Sequence, residues 1–148
     1  MKVIVQRVSR ASVHVGPEAA GRIGRGALIF LGIAKNDSPK DADYLAKKIV
    51  ELRMFDDTKG NLNLSAKEVG ASFLVVSQFT ICGNCDKGRR PSFDEAATPK
   101  EAEGLYEYFL ERLRSFGANV ESGRFRAMMQ VELINDGPVT FILESKDP

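Results

Sequence analysis

The chain has one histidine and two cysteines among 148 residues. A single imidazole limits Ser-His or Cys-His chemistry to one candidate. Two cysteines cannot build a disulfide framework. No apolar run approaches the roughly 18 residues of a membrane span. Met1–Arg7 holds no apolar stretch long enough for a secretory signal. A cytoplasmic protein is therefore expected, with no membrane partner. Excess charge is also lacking, because 21 Lys and Arg stand against 20 Asp and Glu. That balance gives no global case for nucleic acid, whose binders are usually basic, but it leaves room for a local patch.

Hydrophobic residues make up 43% of the chain and charged residues 28%, too apolar and too evenly charged for disorder. A chain of this length buries roughly 70% of its unfolded surface. No linker, repeat or low-complexity segment divides it, so one domain spanning 1–148 is expected.

The periodicity predicts a mixed α/β fold, with sheets packed against two main helices. Val3–Val8 and Ser12–Val15 read as strands, followed by a turn at Gly16-Pro17. Ala27–Ile33 and Ser72–Ser77 are continuous apolar runs, as in strands buried on both faces. Ser38-Pro39 opens a helix with Asp41 three residues past the cap, and Ala42, Leu45, Ala46, Ile49 and Leu52 form its stripe. Thr98-Pro99-Lys100-Glu101 opens a second helix as a capping box. Its stripe is Ala102, Leu105, Tyr106, Phe109, Leu113 and Phe116, and Gly117 follows as its C-terminal stop. Between them, 81–97 reads as a long loop. Met128–Ile134 and Val139–Leu143 read as two strands separated by Asn135-Asp136-Gly137-Pro138.

Several residues invite chemistry and have simpler readings. His14, between Val13 and Val15, points away from them and reads as a solvent-facing strand residue. Cys82-Gly83-Asn84-Cys85 supplies half a zinc set or a redox pair, but its glycine- and proline-containing surroundings do not open a helix. Gly21–Gly26 lacks a following helix and a phosphate-loop lysine, so a pair of β-turns explains it. Asp56 and Asp57 are adjacent and read as a solvated turn.

Two polar segments at strand ends are more informative. Ser77-Gln78-Phe79-Thr80 ends a buried run, where backbone N–H groups become free to meet a ligand. Asn135-Asp136-Gly137-Pro138-Val139-Thr140 includes a residue without a side chain, which permits close backbone approach, beside a proline that permits a cis bond.

Gln6-Arg7-Val8, Ser77–Thr80, Arg90-Pro91-Ser92-Phe93, Gly123-Arg124-Phe125 with Met129, and Asn135–Thr140 occur in this order. Together they closely resemble the D-aminoacyl-tRNA deacylases, the D-tyrosyl-tRNA deacylase family, over essentially the whole chain. The resemblance implies hydrolysis of the ester joining a D-amino acid to the 3′-terminal adenosine of tRNA, and of mischarged glycyl-tRNA. It implies a homodimer with sites at the subunit interface, each receiving a cis Gly137-Pro138 from the partner copy. It implies that Ser77, Gln78, Phe79 and Thr80 hold the ester. Phe125 and Met129 would line the pocket, and Arg7 would brace the Gly-Pro segment. One departure stands out: the family often reads Gly-x-Phe-Gly-Ala where this chain has Gly123-Arg124-Phe125-Arg126-Ala127. No metal or cofactor is expected. Lys87, Arg89 and Arg90 are candidates for tRNA phosphates.

An unactivated Thr80 hydroxyl is a poor nucleophile. Attack by water is therefore expected, with the oxyanion held by backbone N–H groups near Gln78 and Phe79. The resemblance implies that basicity comes from the ribose 2′-hydroxyl of the tRNA. Two other classes compete: a thiol-redox or zinc protein using Cys82 and Cys85, and a non-catalytic interaction module.

Overall fold

In the computed structural model, which describes residues 1–146, the first strand organises the sheet. The last two residues of the expected 1–148 domain lie outside the described residues. The two strands expected near the N-terminus are one, β1 (Lys2–Val15). Along one edge β1 pairs first with β3 (Gly26–Gly32) and then with β2 (Glu18–Ile23), both antiparallel. The change of partner falls at exposed Ser9 and Arg10. There the buried side chains also change face, from Val3 and Val5 in one core cluster to Val8, Ala11 and Val13 in the other. Along the other edge runs β8 (Gln130–Glu144).

The apolar runs expected at 27–33 and 72–77 are β3 and β6 (Ser72–Ser77), paired in parallel, with β3 beginning and ending one residue earlier than expected. A parallel pair needs a long crossover. It contains α1 (Pro39–Glu51), the small hairpin β4 (Phe55–Asp56) and β5 (Leu62–Leu64), and the one-turn α2 (Ala66–Val69). A second crossover through α3 (Pro99–Ser115) returns the chain to β7 (Asn119–Ser122), parallel to β6. Sequence periodicity had marked neither α2 nor β7.

The helix starts follow their caps. The Asp41 carboxylate accepts the Ser38 backbone N–H at 2.8 Å. Thr98 Oγ1 accepts the Glu101 backbone N–H at 3.4 Å. Gly117, with φ of 85°, follows the last turn of α3.

Both apolar runs are buried on both faces. Ile29, Leu31, Phe73 and Val75 meet Leu45, Ile49, Phe109 and Leu113 of the helices. Leu28, Leu74 and Val76 meet Val8, Val13 and Ile23 on the opposite face. The two main helices thus cover the same face. The other face is closed by strands: Gly21 of β2 approaches β7 so nearly that a Cβ there would lie 2.7 Å from the Ser122 carbonyl oxygen.

The glycine-rich stretch is therefore a turn only at Gly24-Arg25, with Gly21 and Gly26 inside strands. A Cβ on Gly26 would overlap the Ser72 carbonyl of β6, whereas one on Gly24 would meet open space. Gly26→Ala should cost about 3 kcal/mol, the upper end for overpacking. Gly24→Ala should stay within about 0.5 kcal/mol of the parent. Urea unfolding of the two variants checks the contrast.

Candidate active site

The parallel strands β6 and β7 end side by side, and ligands of α/β sheets gather at such carboxyl ends. A cavity of about 620 Å³ opens there. Ser77, Gln78 and Phe79 come into it from the end of β6, and Phe125, Ala127 and Met129 from the link between β7 and β8. Phe93, Ala96 and Ala97 from the long loop close a third side. Phe79 and Phe93 pack edge to face with centroids 5.2 Å apart. Gly123 makes room for Met129, because a Cβ at 123 would sit 2.7 Å from the methionine sulfur.

The chain after Ser77 turns into a single 3₁₀ turn, Phe79–Cys82. Its hydrogen bonds decide which N–H groups are available. The Gln78 N–H is committed to the Leu31 carbonyl at 2.8 Å, which ties the loop to β3. Gln78 is thus not an oxyanion donor. Phe79 and Thr80 open the turn, and their N–H groups have no acceptor among the described residues. Thr80 is exposed at the rim and does not line the cavity. Its Oγ1 accepts from the Gln78 side-chain amide, a group that cannot take a proton from it.

No strong base stands in the cavity. His14 is half-buried on β1 opposite Gln130, outside the lining. Tyr106, packed against Phe125, donates to the Val75 carbonyl at 3.0 Å. Burial pushes its pKa up to about 12, so it stays protonated. Cys82 and Cys85 line a separate hollow with Met1, Lys2 and Asp37, and burial pushes the Cys82 thiol up, away from thiolate. Among the described residues, no three His, Cys, Asp or Glu side chains gather as a metal would require. Another hollow, of about 690 Å³ beside α2, holds none of the motif residues.

The remaining site candidates form a second group. The two strands expected at 128–134 and 139–143 are one strand, β8, because both halves pair with β1 on either side of interruptions in the ladder at Arg7 and Ser9. Gln6 pairs with Thr140 and Val8 with Asn135, so four residues of β8 stand opposite Arg7 alone. They leave the sheet as a bulge rather than a turn between strands. Arg7, 5% exposed, holds the bulge. Its Nε donates to the Asp136 carbonyl and pairs with the Asp136 carboxylate, both at 3.1 Å, and Nη2 reaches the Gly137 carbonyl at 3.4 Å. Nη1 donates to the Met54 carbonyl at 3.0 Å and pairs with Asp56 at 3.4 Å. Asn135 Nδ2 closes the base, donating to the Arg7 and Val139 carbonyls. Met54 and Asp56 are not marked as site residues by their sequence context, since each acts only through this fold contact, whereas Asn135 opens the polar segment singled out above.

The Gly137–Pro138 bond is cis, and both residues are exposed. Neither lines the cavity of its own chain. Nor does the protomer demand glycine at 137: a Cβ there would meet only Asn135 Oδ1, at 3.7 Å, an ordinary contact. Four large apolar side chains are also exposed: Phe79 at 56%, Met128 at 91%, Ile134 at 47% and Ile142 at 66%.

A family model described as D-Tyr-tRNA(Tyr) deacylase matches residues 4–144. A D-aminoacyl-tRNA deacylase of Thermodesulfovibrio yellowstonii is 56% identical over 146 residues, covering 99% of this chain and all of the relative. One from Dehalococcoides mccartyi is 54% identical, with 99% and 96% covered. A solved structure described as c-Myc DNA Unwinding Element Binding Protein superposes with a TM-score of 0.93 at 43% identity, covering 99% of this chain and all of the other. A probable eukaryotic D-amino acid tRNA deacylase superposes with a TM-score of 0.82 at 17% identity, covering 97% and 98%, a likeness of fold.

Removing the Arg7 fork should loosen the bulge. Arg7→Met should cost about 3 kcal/mol, since it strands carbonyls and a carboxylate that a charged donor satisfied. Arg7→Lys should recover less than half, lacking the planar fork. Urea unfolding gives the cost, and amide exchange at Asp136, Gly137 and Val139 should speed up before the rest of β8.

Proposed function

The chain belongs to the D-Tyr-tRNA(Tyr) deacylase family, and on that footing we propose that it hydrolyses D-aminoacyl-tRNA to free tRNA and the D-amino acid while sparing L-aminoacyl-tRNA. The observation that carries the mechanism is the pair of free N–H groups at Phe79 and Thr80, beside a cavity without a strong base. Such donors suit an ester whose carbonyl becomes an oxyanion. One donor of this kind is worth roughly 10²–10³ in rate. Water attacks the carbonyl carbon, the Phe79 and Thr80 N–H groups receive the oxyanion, and collapse breaks the bond to the ribose oxygen. The ribose 2′-hydroxyl takes the proton that the water loses and passes its own to the departing ribose oxygen. The Thr80 hydroxyl, held by Gln78, orients substrate or water. Phe125 and Met129 form the cavity wall.

The site is completed by a second copy of the chain. Gly137 and Pro138 are exposed and do not line their own cavity, and a Cβ at 137 finds room in its own protomer. That combination fits a backbone that must approach something outside the chain. The exposed Phe79, Met128, Ile134 and Ile142 supply the apolar contact of a two-fold dimer. In it the partner's 136–138 backbone forms a rigid wall that clashes with any L side chain. A main-chain wall ignores side-chain identity, so many D-amino acids and achiral glycine are accepted. The whole chain, 1–148, acts as one proofreading domain in the cytoplasm. Lys87, Arg89 and Arg90, all exposed and without ion-pair partners among the described residues, meet tRNA phosphates.

Purified protein should hydrolyse D-tyrosyl-tRNA and glycyl-tRNA with EDTA present and leave L-tyrosyl-tRNA intact. Comparable hydrolysis of the L-ester would contradict the chiral wall, and no hydrolysis of any ester would favour a binding module. Thr80→Ala should retain most of the activity. Its complete loss in a folded variant would make Thr80 the nucleophile.

A further inference from the structure

We propose that Arg126 is a substrate-binding residue whose guanidinium takes the phosphodiester on the 5′ side of the terminal adenosine; this deepens the deacylase reading and rests on it. The backbone gives the first argument. Arg126 has φ of 63°, and the only other non-glycine residue with positive φ among the described residues is Asn36. Asparagine is suited to that region by its short amide, whereas arginine has no such compensation. Glycine would adopt this φ freely. Strained positions that persist cluster at ligand sites.

The side chain gives the second argument. Arg126 is exposed and lines the rim of the cavity between Phe125 and Ala127. Two residues earlier, Arg124 is tied to Glu18 at 2.6 Å. Arg126 makes no ion pair and no side-chain hydrogen bond among the described residues. The fold therefore gains no side-chain polar bond from this strained residue.

Substrate chemistry gives the third. Around the ester lie a ribose, an adenine and the amino acid's ammonium, which repels a guanidinium. The anion common to every substrate within one nucleotide of the ester is the phosphodiester, and a planar fork matches its oxygens. The competing anion is the side-chain carboxylate of D-aspartate or D-glutamate. Its place would be inside the cavity with the amino acid, not at an exposed rim.

The test compares the parent with Arg126→Gly, Arg126→Lys and Arg126→Met. Each is assayed on D-tyrosyl-tRNA and D-aspartyl-tRNA over a salt series, with melting temperature recorded. Arg126→Gly should melt no lower than the parent, yet lose about tenfold in kcat/KM on both substrates, mostly through KM. The slope of log(kcat/KM) against log salt should flatten by about 0.7, as for one lost single-strand phosphate contact. Arg126→Lys should restore part of both, and Arg126→Met neither. A loss confined to D-aspartyl-tRNA would overturn the phosphate assignment in favour of side-chain recognition. Unchanged kinetics and salt slope in all three variants, with an active parent, would overturn any substrate role for Arg126. An inactive parent would instead overturn the deacylase reading, and this inference with it.

Discussion

The Arg7 guanidinium holds together two demands that otherwise conflict. β8 must pair with β1 along its whole length, because both of its halves bury apolar residues against the same sheet. Yet it carries four residues where β1 offers one. The surplus has to leave the ladder, and once outside it exposes carbonyls that lack sheet partners. Arg7 supplies donors to two of them from a buried position, and its charge is met by Asp56 and Asp136, each about half exposed. The result is a fixed piece of main chain standing out from an edge strand, a feature that neither strand alone would produce.

That arrangement suits recognition of handedness. Recognition by side-chain contacts would narrow the enzyme to a few amino acids. Main chain held by a buried fork has no identity to match and gives way little. The proposed catalytic half is just as economical: two backbone donors, a hydroxyl held by Gln78 and apolar walls, on a loop tied to β3 through Gln78 and Leu31. An aminoacyl ester is reactive enough that placement and oxyanion binding carry much of the work. On the proposed assignment, the positive φ of Arg126 at the rim is kept for substrate binding rather than for packing.

Much of this was legible in the residues. Ser38-Pro39 with Asp41 and Thr98-Pro99 with Glu101 mark both long helices, because caps are local chemistry. Ser72–Ser77 reads directly as a buried strand, since both of its faces are apolar. What escaped is tertiary. Asn135-Asp136-Gly137-Pro138 has the composition of a turn, and only an unbroken β1 alongside makes it a bulge. Asn119–Ser122 is too polar and short to announce a strand, and its pairing with β6 makes it one. That both helices share a face follows from the curl of β2 toward β7, which no local pattern encodes. At the site, Ser77–Thr80 was visible at a strand end. The loss of the Gln78 N–H to Leu31, and the position of Thr80 outside the cavity, depend on how the loop folds back.

The most direct test of a site shared between two copies is complementation. Ala96→Trp fills the cavity, and Gly137→Ala puts a Cβ on the protruding backbone, where its own protomer leaves room. Each variant alone should fold, dimerise and fail to hydrolyse D-tyrosyl-tRNA. Co-refolded in equal amounts, they should regain about a quarter of parental activity, the share of sites with two intact halves in a two-fold dimer. No recovery in verified mixed dimers would contradict a site built from both chains.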